Sequence, residues 1–271
     1  MRIPVVIRVV GVALAATLIA PAALADASVD RSVSADPSGT AFDLLPDLRM
    51  APLYGMYVAT TPNDHVRLHF GTIGWNVGMG PLEADGKKVA GNDQYMTVRQ
   101  RIYDSEGGSR TRRTPATMIY DVGDHHVHWH LIQFMFVQLY KVSNPDDVYG
   151  LRKIGYCLLD ARQMNNPPEG SPPEQGYDFE SCGLQDSTSV KTGLSIGWGD
   201  DYPPTYAHQW IDITDLAKGR YRLCASVDPL KVFVELDETN NQRWTDVRID
   251  PATLLVTVLA TGAGECGPGI P

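Results

Sequence analysis

Between Phe42 and the C-terminus, no run of twelve or more residues carries apolar side chains at the 3.6-residue spacing of an amphipathic helix. Short stretches rich in Val, Ile, Tyr and Phe recur instead, cut by Gly, Pro and Asp. They fall at 66–78, 95–103, 131–142, 221–228 and 232–236. This punctuation predicts antiparallel strands joined by loops rather than strand–helix–strand units. The expected fold is all-β: an antiparallel β-sandwich with long loops and little helix. Residues 131–142 (LIQFMFVQLYKV) are apolar almost without alternation, as expected of a strand covered on both faces. Asn165-Asn166-Pro167-Pro168 and Pro172-Pro173 make 162–180 a loop. No internal repeat is visible.

The first 25 residues read as a secretory signal peptide. Arg2 and Arg8 are basic, Val9 to Ala22 is apolar, and Ala23-Leu24-Ala25 is a small-x-small cleavage site. The apolar run is shorter than the roughly 20 residues needed to span a bilayer, so no membrane association is expected after cleavage. Residues 26–41 are mostly polar and small and read as a disordered leader. Export permits disulfides. The four cysteines, Cys157, Cys182, Cys224 and Cys266, allow three pairings. Cys157–Cys182 is favoured because it brackets the Pro-rich loop, and Cys224–Cys266 because it would tie down the tail. Their spacing fits no tetrahedral thiolate zinc site. The formal net charge is -9. That excludes nucleic acid as a natural partner and favours cationic ones.

Four of the seven histidines lie in Asp124-His125-His126-Val127-His128-Trp129-His130. His126, His128 and His130 alternate, so on a strand they share one face. Neutral imidazole is the commonest metal ligand and suits Cu(II) and Zn(II). Histidines at i and i+2 converge readily. The ends of an ideal triplet lie about 13 Å apart, so a third ligand requires a bend or bulge, which Gly123 would permit. A polar edge strand with a chance run of histidines is the competing reading. His125 faces the other way, as a supporting or exposed side chain. His65 and His69 also alternate but stand alone and read as structural.

Glu235, Asp237, Asn240 and Asn241 place hard oxygen donors within seven residues, at what reads as the end of a strand. Calcium prefers such donors. The alternative is an Asx-rich turn with its acids in water. The twelve-residue loop and central glycine of an EF-hand are missing.

Gly193-Leu194-Ser195, Asp200-Asp201-Tyr202, Gln209-Trp210-Ile211-Asp212-Ile213-Thr214-Asp215, Gly219-Arg220-Tyr221 and Glu235 to Asn241 together resemble the catalytic domain of lysyl oxidases. So does the upstream histidine triplet. The resemblance spans roughly residues 42–250 and marks 42–271 as one catalytic domain. It implies a secreted copper amine oxidase whose second cofactor, lysine tyrosylquinone, is built from its own side chains. The implied copper ligands are His126, His128 and His130. Lys153, four residues before Cys157-Leu158-Leu159-Asp160, matches the cofactor lysine. Tyr202, eight residues before Trp210, matches the cofactor tyrosine; Tyr206 falls off that register. The resemblance also implies calcium at Glu235, Asp237, Asn240, Asn241, Asp47 and the backbone carbonyl of Leu48. The implied reaction converts primary amines, peptidyl lysine or small amines, to aldehydes. It consumes molecular oxygen and releases hydrogen peroxide and ammonia. Asp200 is the nearest carboxylate to serve as base, or equally a turn-stabilising residue.

The chain departs from the animal members in a longer Lys153–Tyr202 stretch, through the 162–180 insert. His125, Trp198 and His208 stand where those members carry cysteines. Two further readings remain. Pro46 to Arg49, Phe70 to Gly78, Gly219 to Asp228 and Val234 to Asn241 also look like non-catalytic, calcium-binding immunoglobulin-like adhesion modules. A secreted copper or zinc protein that never forms a quinone is the other. His126, His128, His130, Lys153 and Tyr202 separate these from the oxidase, since a plain module has no reason to carry them.

Overall fold

A computed structural model of the chain describes residues 41–122 and 127–266. The segment read as a signal peptide, the leader up to residue 40, and the Gly123, Asp124, His125 and His126 part of the histidine run lie outside the described residues.

The fold is all-β, as expected. Among the described residues the only helical turns are the 3₁₀ segments Phe179–Cys182 and Pro251–Thr253. Strands gather into a ten-stranded and a six-stranded antiparallel sheet. The larger sheet is built around His128–Lys141. Its first residues pair with Ser109–Asp121, its later ones with Gly219–Val227, and its other edge with Asn144–Tyr156. Burial along this strand is nearly continuous, from His128 through Tyr140, which accounts for its unbroken apolar sequence.

The smaller sheet is organised by Val66–Asn76. This strand pairs with Leu48–Met50, Tyr54–Thr60, Trp198–Tyr202 and Trp210–Asp212. Its alternation is functional. Leu68 and Phe70 are fully buried, whereas Arg67 and His69 turn to the other face. Leu68 and Phe70 join Met135, Val137, Leu139, Leu223, Ala225 and Val247 in one core between the sheets. Apart from Ala225, each of these side chains contributes about 1.5–3 kcal/mol by leaving water. The sheets meet so closely at Gly74 that a methyl group there would lie 3.3 Å from Val227.

One expected strand is absent. Residues 232–236, and hence the run leading into Glu235, have no strand partner. Side chains take the place of a ladder. Val232 and Phe233 donate their N–H groups to the Asp228 carboxylate at 3.0 and 2.9 Å. Gln100 brackets Val234, accepting from its N–H at 2.8 Å and donating to its carbonyl at 2.9 Å. Buried backbone groups must be paired, but not necessarily by another strand.

The disulfides join Cys157 to Cys182 and Cys224 to Cys266, the favoured pairing. The first fastens the 162–180 loop to the end of Asn144–Tyr156. The second fastens the tail to the larger sheet.

Candidate active site

His128 and His130 begin the central strand. Both are buried, and their Nε2 atoms face each other across 2.7 Å. His130 Nδ1 lies 3.4 Å from Asp121 Oδ2. Phe179, carried by the disulfide-tethered loop, sets its ring edge-on to His128 at 5.0 Å. The neighbouring strand passes close by. A methyl group on Gly155 would sit 3.4 Å from His130 Cβ, so glycine lets the two strands close up here. Two residues on, Cys157 gives a backbone hydrogen bond to the Tyr202 side chain. The segment leading from Lys153 to Cys157 thus touches His130 at one point and Tyr202 at another.

Tyr202 ends the Trp198–Tyr202 strand of the smaller sheet with its ring buried. Tyr156 lies against it, the ring centroids 4.0 Å apart. The Tyr156 hydroxyl is 2.6 Å from Thr72 Oγ1, donates to Met135 Sδ at 3.1 Å, and accepts from Gln209 Nε2 at 3.4 Å. Burial, then the Asp200 charge and Tyr156, raise the Tyr202 phenol well above its usual range. Asp200 is 2% exposed, and its Oδ2 has no hydrogen-bond partner. Burial first, then Asp201 and Asp160, push its carboxyl well above the ordinary carboxylate range. Asp201 instead accepts from the Tyr54 hydroxyl and pairs with Arg162.

His128, Asp200, Tyr202 and Tyr206 open onto one cavity of about 990 Å³. Tyr206 is half exposed, its ring 5.8 Å from that of Tyr202. Lys153 pairs its backbone with Phe136. It lies four residues before Cys157, about 13 Å on an ideal strand. His69, read as structural, stacks on Tyr57 at 4.5 Å and bonds the Pro204 carbonyl at 3.2 Å, yet also lines the cavity. His65 is exposed and binds Asp212 at 2.7 Å.

Among the described residues, no group of three or more His, Cys, Asp or Glu converges as a metal site. Two buried imidazoles with opposed Nε2 atoms nevertheless suit a metal ion bound in common. Only one of those nitrogens can carry a proton while they face each other. The third implied ligand, His126, lies outside the described residues.

At the acidic turn, the implied donors engage each other. Glu235 accepts from Leu48 N–H at 2.6 Å and Asn241 Nδ2 at 2.9 Å, while Asn240 donates to Asp47 at 2.8 Å. Asp237 is exposed and caps Thr239. The turn therefore gathers the implied residues, with Asp237 on its rim.

Tyr156, Thr72, Gln209 and Arg67 escaped the sequence reading as site residues. Arg67 and Thr72 lay in the 66–78 run, Gln209 in a quoted motif and Tyr156 between Lys153 and Cys157, but none was singled out.

Fold and site together define a two-sheet antiparallel protein whose cleft unites imidazoles, a buried tyrosine and a carboxylic acid. The lysyl oxidase family model matches residues 87–258, and the chain belongs to that family. Human protein-lysine 6-oxidase is 37% identical over 98 residues, covering 34% of this chain and 24% of that protein. Human lysyl oxidase homolog 1 is 32% identical over 117 residues, covering 43% and 18%. Protein-lysine 6-oxidase of Gallus gallus is 36% identical over 98 residues, covering 34% and 23%. The match spans about a quarter or less of the length of these relatives.

Proposed function

We propose that the chain is a secreted, copper- and quinone-dependent amine oxidase that converts primary amines, peptidyl lysine or small amines, to aldehydes with release of hydrogen peroxide and ammonia. Molecular oxygen is the other substrate. The observation that carries this reading is the path from Lys153 to Cys157, which packs on His130 through Gly155 and on Tyr202 through Cys157.

His126, His128 and His130 would hold copper, with Asp121 orienting His130 through Nδ1. Copper bound there would supply, with molecular oxygen as the oxidant, the chemistry that makes Tyr202 and Lys153 into a quinone able to accept electrons from an amine. The chain's own residues prepare the rest. Tyr156 and Phe179 wall the tyrosine and imidazoles from water. Burial raises the Asp200 carboxyl well above its usual range, and an ammonium group entering beside it would oppose that shift. That charge favours the carboxylate, so substrate binding itself generates a base at the unpartnered Oδ2. A lysine side chain is shorter than the span along its strand to Cys157.

Calcium at Asp47, Leu48, Glu235, Asp237, Asn240 and Asn241 would brace the turn that stands in for the missing strand. The lysyl oxidase family match and the cavity holding His128 and Tyr202 argue against the adhesion-module reading.

The test is peroxide release from copper-loaded protein with a primary amine. Tyr202→Phe abolishes release and Tyr206→Phe reduces it mildly. The reverse pattern assigns the cofactor to Tyr206, and silence of the parent protein rejects the oxidase.

A further inference from the structure

Arg67 stands on the cavity wall in the Val66–Asn76 strand. It is the only Lys or Arg among the described lining residues. Its guanidinium carbon lies 3.6 Å from the centre of the Trp210 ring. Such stacking fixes the plane of the cation while leaving its N–H edge for a planar anion. Among the described residues it has no ion pair, and its Nε is buried with no hydrogen-bond partner.

Two of the nearby carboxylates are occupied by other partners. Asp212, opposite Arg67 across the strand pair, is bonded to His65 and Thr214. Asp201 is bonded to Tyr54 and Arg162. The pKa of His69, on the same face, is lowered by burial and by the Arg67 charge, against the opposing hydrogen bond to the Pro204 carbonyl. A half-buried cation with a buried, unpartnered Nε, on the wall of a substrate-sized cavity, is an arrangement that an anionic ligand relieves.

We propose that Arg67 and Trp210 form a carboxylate-binding subsite that selects peptidyl lysines flanked by an acidic residue. This inference rests on the amine-oxidase reading and names its substrate class. The spacing sets the geometry. Tyr202 pairs with Thr72, five residues along the strand from Arg67, a run of about 16 Å. Arg67 and Tyr202 line the same cavity, so a lysine directed at Tyr202 leaves a flanking residue of the same peptide to present its carboxylate to Arg67. Bidentate pairing with a carboxylate suits the guanidinium fork and gives specificity as well as affinity.

The experiment compares two lysine peptides that differ only by Glu or Gln two residues from the lysine, with a simple alkylamine as reference. Copper-loaded parent protein oxidises the Glu peptide about tenfold more efficiently than the Gln peptide, through KM rather than kcat. Arg67→Gln brings that ratio close to one, and Arg67→Lys restores part of it. A binding readout stands apart from turnover: metal-free protein binds the labelled Glu peptide about tenfold more tightly than the Gln peptide, and salt erodes the difference. A Glu/Gln ratio near one in the parent, or a ratio that survives Arg67→Gln, overturns the subsite while leaving the oxidase intact. Failure to oxidise even the alkylamine overturns the oxidase, and the subsite with it.

Discussion

His128 and His130 hold their Nε2 atoms 2.7 Å apart, below the edge of the Phe179 ring. Two imidazoles fixed this way have already met most of the ordering cost of ligating one ion. His130→Ala is expected to lower copper affinity at least about 100-fold, and Asp121→Asn about 10- to 100-fold, because Asp121 orients the ring. A chelator-competition titration checks both. Undiminished affinity in His130→Ala would move the metal elsewhere.

Asp160 is fully buried and receives three backbone N–H groups: Ser195 and Gly176 at 2.8 Å, and Tyr177 at 3.2 Å. It pins the 162–180 loop to the stretch leading into the Tyr202 strand. Asp160→Ala strands those donors and is expected to cost about 2–4 kcal/mol in urea unfolding. A change below about 1 kcal/mol would mean that the loop finds other partners.

Removing the Cys157–Cys182 bridge, which closes a separation of 25 residues, is expected to cost about 3 kcal/mol. It also frees Phe179 from its place over His128. The double Cys→Ser variant should therefore lose copper affinity as well as stability. Loss of stability alone would limit the bridge to a structural role.

Burial raises Asp228 to about 7, with Glu238 adding to the effect and the Phe233 and Val232 N–H groups opposing it. Glu235 is raised well above its usual range by burial and then by Asp228. Both folded-state values exceed the unfolded ones, so the unfolded chain releases these protons first. Their contribution to stability is present in full below about pH 4 and is lost as pH climbs toward and past 7. Asp228→Asn removes part of this loss. Its stability relative to the parent should rise between about pH 4 and pH 8, by a few kcal/mol in the presence of a chelator. Calcium added at pH 8 should stabilise both proteins, since Asp228 is not among the implied ligands. A pH-independent difference would contradict the assignment.

The strands at 66–78, 95–103, 131–142 and 221–228 were legible because apolar β-formers and turn residues alternate there. Ser109–Asp121 was not. It carries Arg110, Arg112 and Arg113, and it holds Pro115 at a register shift against Thr97 and Arg99. A bulge tolerates a proline that a regular ladder would reject. The opposite error at 232–236 arose because a β-prone sequence had its hydrogen bonds met by Asp228 and Gln100, a choice made by distant parts of the chain. The same distinction runs through the site. His128, His130, Asp200 and Tyr202 sit in local patterns. Tyr156 is bonded to Thr72, 84 residues away in sequence, and Thr72 to Gln209, 137 residues away. No spacing rule anticipates such contacts.

The central claim is that Lys153 and Tyr202 become one cofactor beside the histidines. Mass spectrometry of peptides from protein matured with copper tests this most directly. The account predicts a single cross-linked peptide containing Lys153 and Tyr202, stained as a quinone and absent from protein matured without copper. Two separate, unmodified peptides from fully copper-loaded protein would contradict it.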